Sequence, residues 1–204
     1  LRLADTVTTI SPWHVEFIQQ FNPNVHLIYN GYDPSQFYAE DIPMDTFYIS
    51  YIGRIYEFQS TALVEQAVRE LNLPHVELNI HTPDCRPIPL NAVGDELRRS
   101  SMALVLTNPN AKGMMTTKFF EALGCEKPIL CTPSDNGLLT KTIRDTNAGL
   151  ASSDMDEIKA FILEKYHEWQ QNGFTRQAVI NKEPFSRQQQ AQQFEQLFMQ
   201  CSKR

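Results

Sequence analysis

The chain has 204 residues, 42% of them hydrophobic, and a formal net charge of -6 at pH 7. That is enough apolar material for one well-built core, or one core plus part of a second. The acidic balance argues against broad nucleic-acid binding, which needs a basic face, and leaves room for a local cluster of cations in a cleft.

Residues 7–10 read as a first buried strand. Pro12, with Ser11 before it as a cap, opens a helix over 12–21, and a second strand follows at 25–29. Residues 30–45 carry turn chemistry in Asn30-Gly31, Asp33-Pro34 and Ile42-Pro43, and read as a connector between two structural units. A strand at 47–52 leads to a helix over 60–71, where Leu63, Ala67 and Leu71 share a face. Strands at 76–80 and 102–106 bracket a mixed helical stretch at 90–100. The spacing of Phe119, Phe120 and Leu123 predicts a helix over 116–123, followed by a strand at 128–131 and helices over 138–145 and 155–169. From Ser186 the tail is rich in glutamine, yet Ala191, Phe194, Leu197 and Phe198 fall at helical spacing, which predicts an amphipathic terminal helix. No internal repeat is visible.

Nearly continuous apolar strands joined through helices imply a parallel sheet covered on both faces. The fold class is therefore α/β, a Rossmann-like doubly wound parallel sheet. In such sheets ligands sit at the carboxyl ends of the strands, so the loops that follow strands are the places to look for chemistry.

Cys85, Cys125, Cys131 and Cys201 form no CxxC pair and no zinc-like spacing, so neither a disulfide framework nor a metal site is expected. A reducing cytoplasm fits this usage, and Cys125 and Cys131 read as small core residues. No run approaches the roughly 20 apolar residues of a membrane helix, and no signal peptide is visible. The chain opens on Leu1 rather than Met and enters a strand almost at once, as a piece of a longer protein would.

Gly53-Arg54 stands directly after a strand. A glycine there lets a ligand approach the backbone, and an arginine offers a planar fork suited to phosphate oxygens. The alternative is a turn glycine beside a surface arginine. A second candidate spans residues 108–121. The first turn of the helix has free N–H groups and a partial positive end that favour an anion. Gly113 would let a diphosphate lie close, with Met114 and Met115 leading into the helix. Thr116 and Thr117 are placed to cap the helix or to donate to phosphate. Lys118 and Glu121 share a helix side. They read either as a surface ion pair or as a phosphate-facing cation beside a carboxylate that grips a ribose diol.

The order of these motifs resembles the retaining glycosyltransferases of the GT-B architecture, the glycogen-synthase-like group, and specifically their C-terminal nucleotide-sugar-binding portion. Ala4-Asp5-Thr6-Val7-Thr8-Thr9-Ile10-Ser11 resembles a strand-and-serine motif late in their acceptor domain. Leu27-Ile28-Tyr29-Asn30-Gly31-Tyr32-Asp33, with Phe37, resembles their interdomain signature. Tyr51-Ile52-Gly53-Arg54 resembles the start of their donor domain. The run from Lys118 through Glu121, Ala122, Leu123 and Gly124 to Lys127-Pro128 resembles their K-x-x-E-x-L-A-x-G-K-P motif, and Phe185-Ser186 with the last helix resembles their closing helix.

The resemblance implies three parts: residues 1–37 as the end of an acceptor domain and its link, 38–185 as the donor domain, and 186–204 as a helix returning toward the acceptor domain. It implies transfer of a sugar, with retention, from a UDP- or GDP-type nucleotide-diphosphate donor to a saccharide or lipid-linked acceptor. By resemblance Arg54 binds the diphosphate, Glu121 holds the ribose, and the 113–117 backbone lies near the diphosphate and sugar. No cofactor or metal is implied. A cytoplasmic location is, with peripheral contact at the inner membrane face through the acceptor domain.

Three departures accompany the likeness. Gly113 stands where the family's first paired glutamate falls, and Gln59 where its phosphate-binding lysine falls. The stretch 81–90 is short where the family often has a longer base-binding region. Lys118 is the residue placed to restore the missing charge. Two rivals remain: a nucleotide-binding protein without transferase activity, and a non-enzymatic interaction domain. A dinucleotide oxidoreductase is disfavoured, since no GxGxxG follows a strand. His14, His26, His75, His81 and His167 form no recognisable triad, and His14 reads as structural or exposed. Trp13, Tyr56 and Phe58 read as packing residues, with an acceptor- or membrane-facing patch as the alternative.

Overall fold

The structure is a computed structural model and describes residues 1–202. Strand β1 (Val7–Thr9), helix α1 (Pro12–Gln19) and strand β2 (Val25–Leu27) form a small βαβ unit, with Val7 opposite Val25 in a parallel pair. The larger unit alternates strands and helices: β3 (Phe47–Ile52), α2 (Ala62–Leu71), β4 (Val76–His81), α3 (Val93–Arg99), β5 (Met102–Leu106), α4 (Thr117–Gly124), β6 (Ile129–Thr132), α5 (Leu138–Asp145), β7 (Gly149–Ala151) and α6 (Met155–Asn172). Helix α7 (Arg187–Cys201) closes the described chain.

The large sheet is parallel throughout, in the order β4-β3-β5-β6-β7. Period-two alternation divides its side chains between two cores. Phe47, Ile49 and Tyr51 of β3, with Met102, Leu104 and Leu106 of β5, face α2 and α6. Ala103 and Val105 of β5, with Ile129 and Cys131 of β6, face α3, α4 and α5. Both faces are covered, as near-continuous apolar strands require. Cys125 and Cys131 are buried in the second core, as read from the sequence, and burial pushes both thiols up, which makes them inert.

The differences from the expected elements have local causes. Strand β7 was not anticipated, because Gly-Leu-Ala has no apolar run to read. Gly149 is there because a Cβ would collide with the backbone of Ile129, its partner across the ladder. Helix α6 runs on to Asn172 and stops at Gly173, which takes the left-handed conformation of a helix C-terminal cap. In α7 only Leu197 of the expected apolar stripe lies on the buried side. Gln190 and Leu197 are buried, Gln190 Nε2 donates to the Tyr29 carbonyl at 2.5 Å, and Phe194 and Phe198 face outward. A hydrogen-bonded glutamine satisfies the Tyr29 carbonyl where leucine would leave it bare.

Candidate functional site

The sheet reverses its winding between β3 and β5: the chain leaves β3 to build β4 on one side, then crosses back to build β5 on the other. This is the switch point where doubly wound sheets hold ligands. Two loops flank it and are stitched together. Gln59 Nε2 donates to the Leu106 carbonyl at 2.7 Å, and Gln59 Oε1 accepts from the Tyr56 amide at 3.1 Å. Asn108 Nδ2 donates to the Phe58 carbonyl at 3.3 Å. Gln59 is therefore a loop fastener, with both ends of its amide engaged.

A cavity of about 430 Å³ opens at this edge, and Gly53, Thr117, Lys118 and Glu121 line its polar side. Gly53 sits at φ +133°, a conformation L side chains rarely adopt, and a Cβ there would stand 2.5 Å from Lys118 Cε. The glycine thus makes room for the lysine. Lys118 Nζ lies 5.2 Å from the centroid of the Tyr51 ring, a cation–π contact, and the Tyr51 hydroxyl donates to the Arg54 carbonyl at 2.6 Å.

Lys118 and Glu121 do not form the surface ion pair that was one reading of the helix: among the described residues no salt bridge joins them within 4.0 Å. Burial pushes the Lys118 amine down, and the Glu121 charge only partly opposes this. Burial pushes the Glu121 carboxyl up, against Lys118 and Arg187. In both groups desolvation outweighs attraction, the signature of charges held apart in a cleft rather than paired on a surface.

The lining also includes apolar side chains, Ile52 of β3, Val93 of α3, and Ile88 and Leu90 from the segment after β4. That segment is the short stretch 81–90 of the sequence. His81 anchors that segment, with Nδ1 2.8 Å from the Arg86 carbonyl and Nε2 3.3 Å from Glu96 Oε1. Asn79 Nδ2 donates to the same Glu96 oxygen at 2.7 Å. The signal was present, since 82–90 follows a strand's carboxyl end, where the rule for such sheets already pointed.

The remaining sequence candidates go elsewhere. Arg54 is exposed and follows Gly53, but does not itself line the cavity. Thr116 is the α4 cap, its side chain accepting from the Phe119 amide at 3.4 Å. Gly113, Met114 and Met115 line a second cavity of about 370 Å³, shared with Ile10, Ser11, Trp13 and His14 of the small unit. The loop from 113 to 117 therefore divides two cavities. The three aromatics read as packing residues are packed on one side only: Trp13 is 56% exposed, and Tyr56 and Phe58 stack on one another at 5.6 Å, each half exposed. Among the described residues no group of three or more His, Cys, Asp or Glu side chains is placed to hold a metal ion, and no helix is long and apolar enough to cross a membrane.

No protein-family model matches the sequence, and no curated protein matches it. Solved structures do match. HepE of Anabaena, in complex with UDP-glucose, superposes with a TM-score of 0.70 at 13% identity, covering 98% of this chain and 65% of that one. A TarM mutant of S. aureus, in complex with fondaparinux, alpha-GlcNAc-glycerol and UDP, gives 0.61 at 14% identity over 95% of this chain and 43% of that one. The lipopolysaccharide outer core galactosyltransferase WaaB, in its apo form, gives 0.50 at 15% identity over 81% and 54%. The chain thus spans less than two thirds of the length of each. At these identities the likeness concerns architecture: the chain has the fold of the GT-B glycosyltransferases.

Proposed function

We propose that this chain carries the donor side of a glycosyltransferase, which moves a sugar from a nucleotide-diphosphate donor of UDP or GDP type to a saccharide or lipid-linked acceptor, with retention of configuration. One observation carries the reading: Gly53, Thr117, Lys118 and Glu121 line one cavity at the switch point together with the apolar Ile88, Leu90 and Val93. The chemistry fits a nucleotide part by part. Ile88, Leu90 and Val93 accept the base and the ribose face. Glu121, with two oxygens and no hydrogen-bond partner among the described residues, accepts from a vicinal diol. The free N–H groups at the start of α4 and the Lys118 ammonium face the diphosphate. Arg54, exposed beside the cavity mouth, swings onto the outer phosphate. Together these charges offset the one that builds on the departing diphosphate. The fold's likeness to HepE with UDP-glucose supports the choice of donor class.

In this reading residues 1–37 end an acceptor-side domain and its link, 38–185 form the donor domain, and 186–204, of which 203 and 204 lie outside the described residues, return toward the acceptor side. Peripheral contact with the inner face of a membrane belongs to the acceptor side. A nucleotide-binding protein without transfer is the second reading, favoured by Gly113, which offers no carboxylate near the sugar end.

Calorimetric titration with UDP, GDP and their sugars tests the proposal. Binding is expected, with Lys118→Ala weakening it at least about tenfold, roughly 1.4 kcal/mol, beyond the 0–1 kcal/mol of an exposed ion pair. No heat from any nucleotide would overturn the reading. Nucleotide binding without sugar transfer in the full-length protein would select the second one.

A further inference from the structure

The second cavity lies between the small unit and the loop that precedes α4, and its floor is Trp13. A Cβ added to Gly113 would stand 2.5 Å from Trp13 Cδ2 and 2.6 Å from Cγ, so the indole rests directly against the glycine. Ser11 Oγ donates to the Gly113 carbonyl at 2.7 Å, which fixes the same two segments two residues before the indole. The indole contact is thus a structural reason for glycine at position 113, and it comes from α1. Though anchored, Trp13 remains 56% exposed, and its free surface opens on the cavity. An indole backed on one side and bare on the other is a flat apolar platform with a polar N–H at its edge.

The surroundings restrict what fits there. The cavity measures about 370 Å³, near the lower end for small-molecule sites, which suits one or two sugar rings. Its polar rim comes from His14 and Asn110, both exposed and with no side-chain hydrogen bond among the described residues. Met114 and Met115 supply an adaptable apolar edge. The same stretch of chain that ends this cavity at Met115 begins the nucleotide cavity at Thr117. The two cavities are thus lined by successive residues of one loop.

We propose that Trp13 is a stacking platform for a pyranose ring, and that the Trp13–Gly113 contact sets how well the protein distinguishes a sugar-bearing ligand from a bare nucleotide. The C–H face of the ring lies on the indole, while His14 and Asn110 meet its hydroxyls. This rests on the nucleotide site proposed above. The ring belongs either to the donor sugar or to the acceptor, and the chemistry of stacking is common to both.

Fluorescence and calorimetry on the full chain separate these cases. The chain has two tryptophans, and Trp169 is buried in the core, so a ligand-induced change absent from Trp13→Phe reports on Trp13. UDP and GDP, their glucose and mannose conjugates, and methyl glycosides are titrated in turn into the parent protein, Trp13→Ala and Gly113→Ala. If the ring is the donor's, the gain in affinity of nucleotide sugar over nucleotide is expected to fall about tenfold or more in Trp13→Ala while bare nucleotide binds as before. If it is the acceptor's, methyl glycoside binding is lost instead, with the donor unaffected. Gly113→Ala, which displaces the indole and leaves its stacking surface intact, is expected to weaken the same increment less. Unchanged nucleotide-sugar and glycoside affinities in Trp13→Ala, with nucleotide still bound, would overturn this inference and leave the nucleotide site standing. Failure of the parent protein to bind any nucleotide would remove both.

Discussion

Glu121 sits in the cavity at a cost, because burial raises its carboxyl above the ordinary 4.5. The folded chain therefore holds the proton more tightly than the unfolded chain. Between 4.5 and the raised value the folded state binds more protons, so stability falls as pH rises through that window, and the whole penalty is present above it. Glu121→Gln removes the penalty. The variant is expected to melt higher than the parent at pH 7, with the gap closing as the pH drops below the ordinary carboxyl range, while nucleotide binding weakens. A melting series across pH 4–8 checks this; a gap independent of pH would place the effect elsewhere. Gly53→Ala tests the neighbouring contact. It forces an L residue into φ +133° and pushes on Lys118 Cε, which predicts a loss of about 1–3 kcal/mol in denaturant melts together with weaker nucleotide binding.

At the scale of elements, α4 begins where Thr116 caps it. Thr116→Ala is expected to destabilise by about 0.5–1 kcal/mol, at the low end for caps because the hydrogen bond is long. The loss should appear as faster amide exchange in the first turn of α4, with Leu104 and Leu106 of β5 unaffected; uniform loss across the sheet would contradict a capping role. Much of this architecture was legible in the sequence. Six of the seven strands announce themselves as apolar runs, because a parallel sheet covered on both faces needs apolar side chains on both. The seventh, β7, is an edge of three residues whose glycine serves a close approach, and composition carries no trace of that. Gly53, Lys118 and Glu121 were readable because each stands at a strand end or one helix turn away. The 82–90 wall was half legible: its place after a strand's carboxyl end is visible, but its anchoring through His81 to Glu96 of α3 depends on which helix β4 lies beside. Trp13 was read as packing because an isolated aromatic usually is. Its partner is a glycine 100 positions later, which no local pattern records.

At the scale of the whole molecule, the small βαβ unit and the connector after it are tied to the rest of the chain at several places. One is Ser11 on Gly113. Another is a knot between the connector and α7 at Tyr32, whose amide donates to the Phe185 carbonyl at 2.9 Å and whose carbonyl accepts from the Arg187 amide at 2.8 Å. Gly31 lies inside that knot, where a Cβ would run into the Phe185 carbonyl oxygen and Gln190. Gly31→Ala is therefore expected to cost about 1–3 kcal/mol and to loosen α7 first. Limited proteolysis should cut near residue 186 sooner, while fluorescence of the buried Trp169 holds; simultaneous loss of both would mean the two units unfold as one. The wall after β4 has a different standing from these ties. It closes on itself, Thr82 and Cys85 exchanging backbone hydrogen bonds at 2.7 and 3.1 Å, and it hangs from the sheet by His81. In the proposed donor site this loop would face the base, so grafting 82–89 from a glycosyltransferase of another base preference is expected to shift that preference while every strand of the sheet stays as it is.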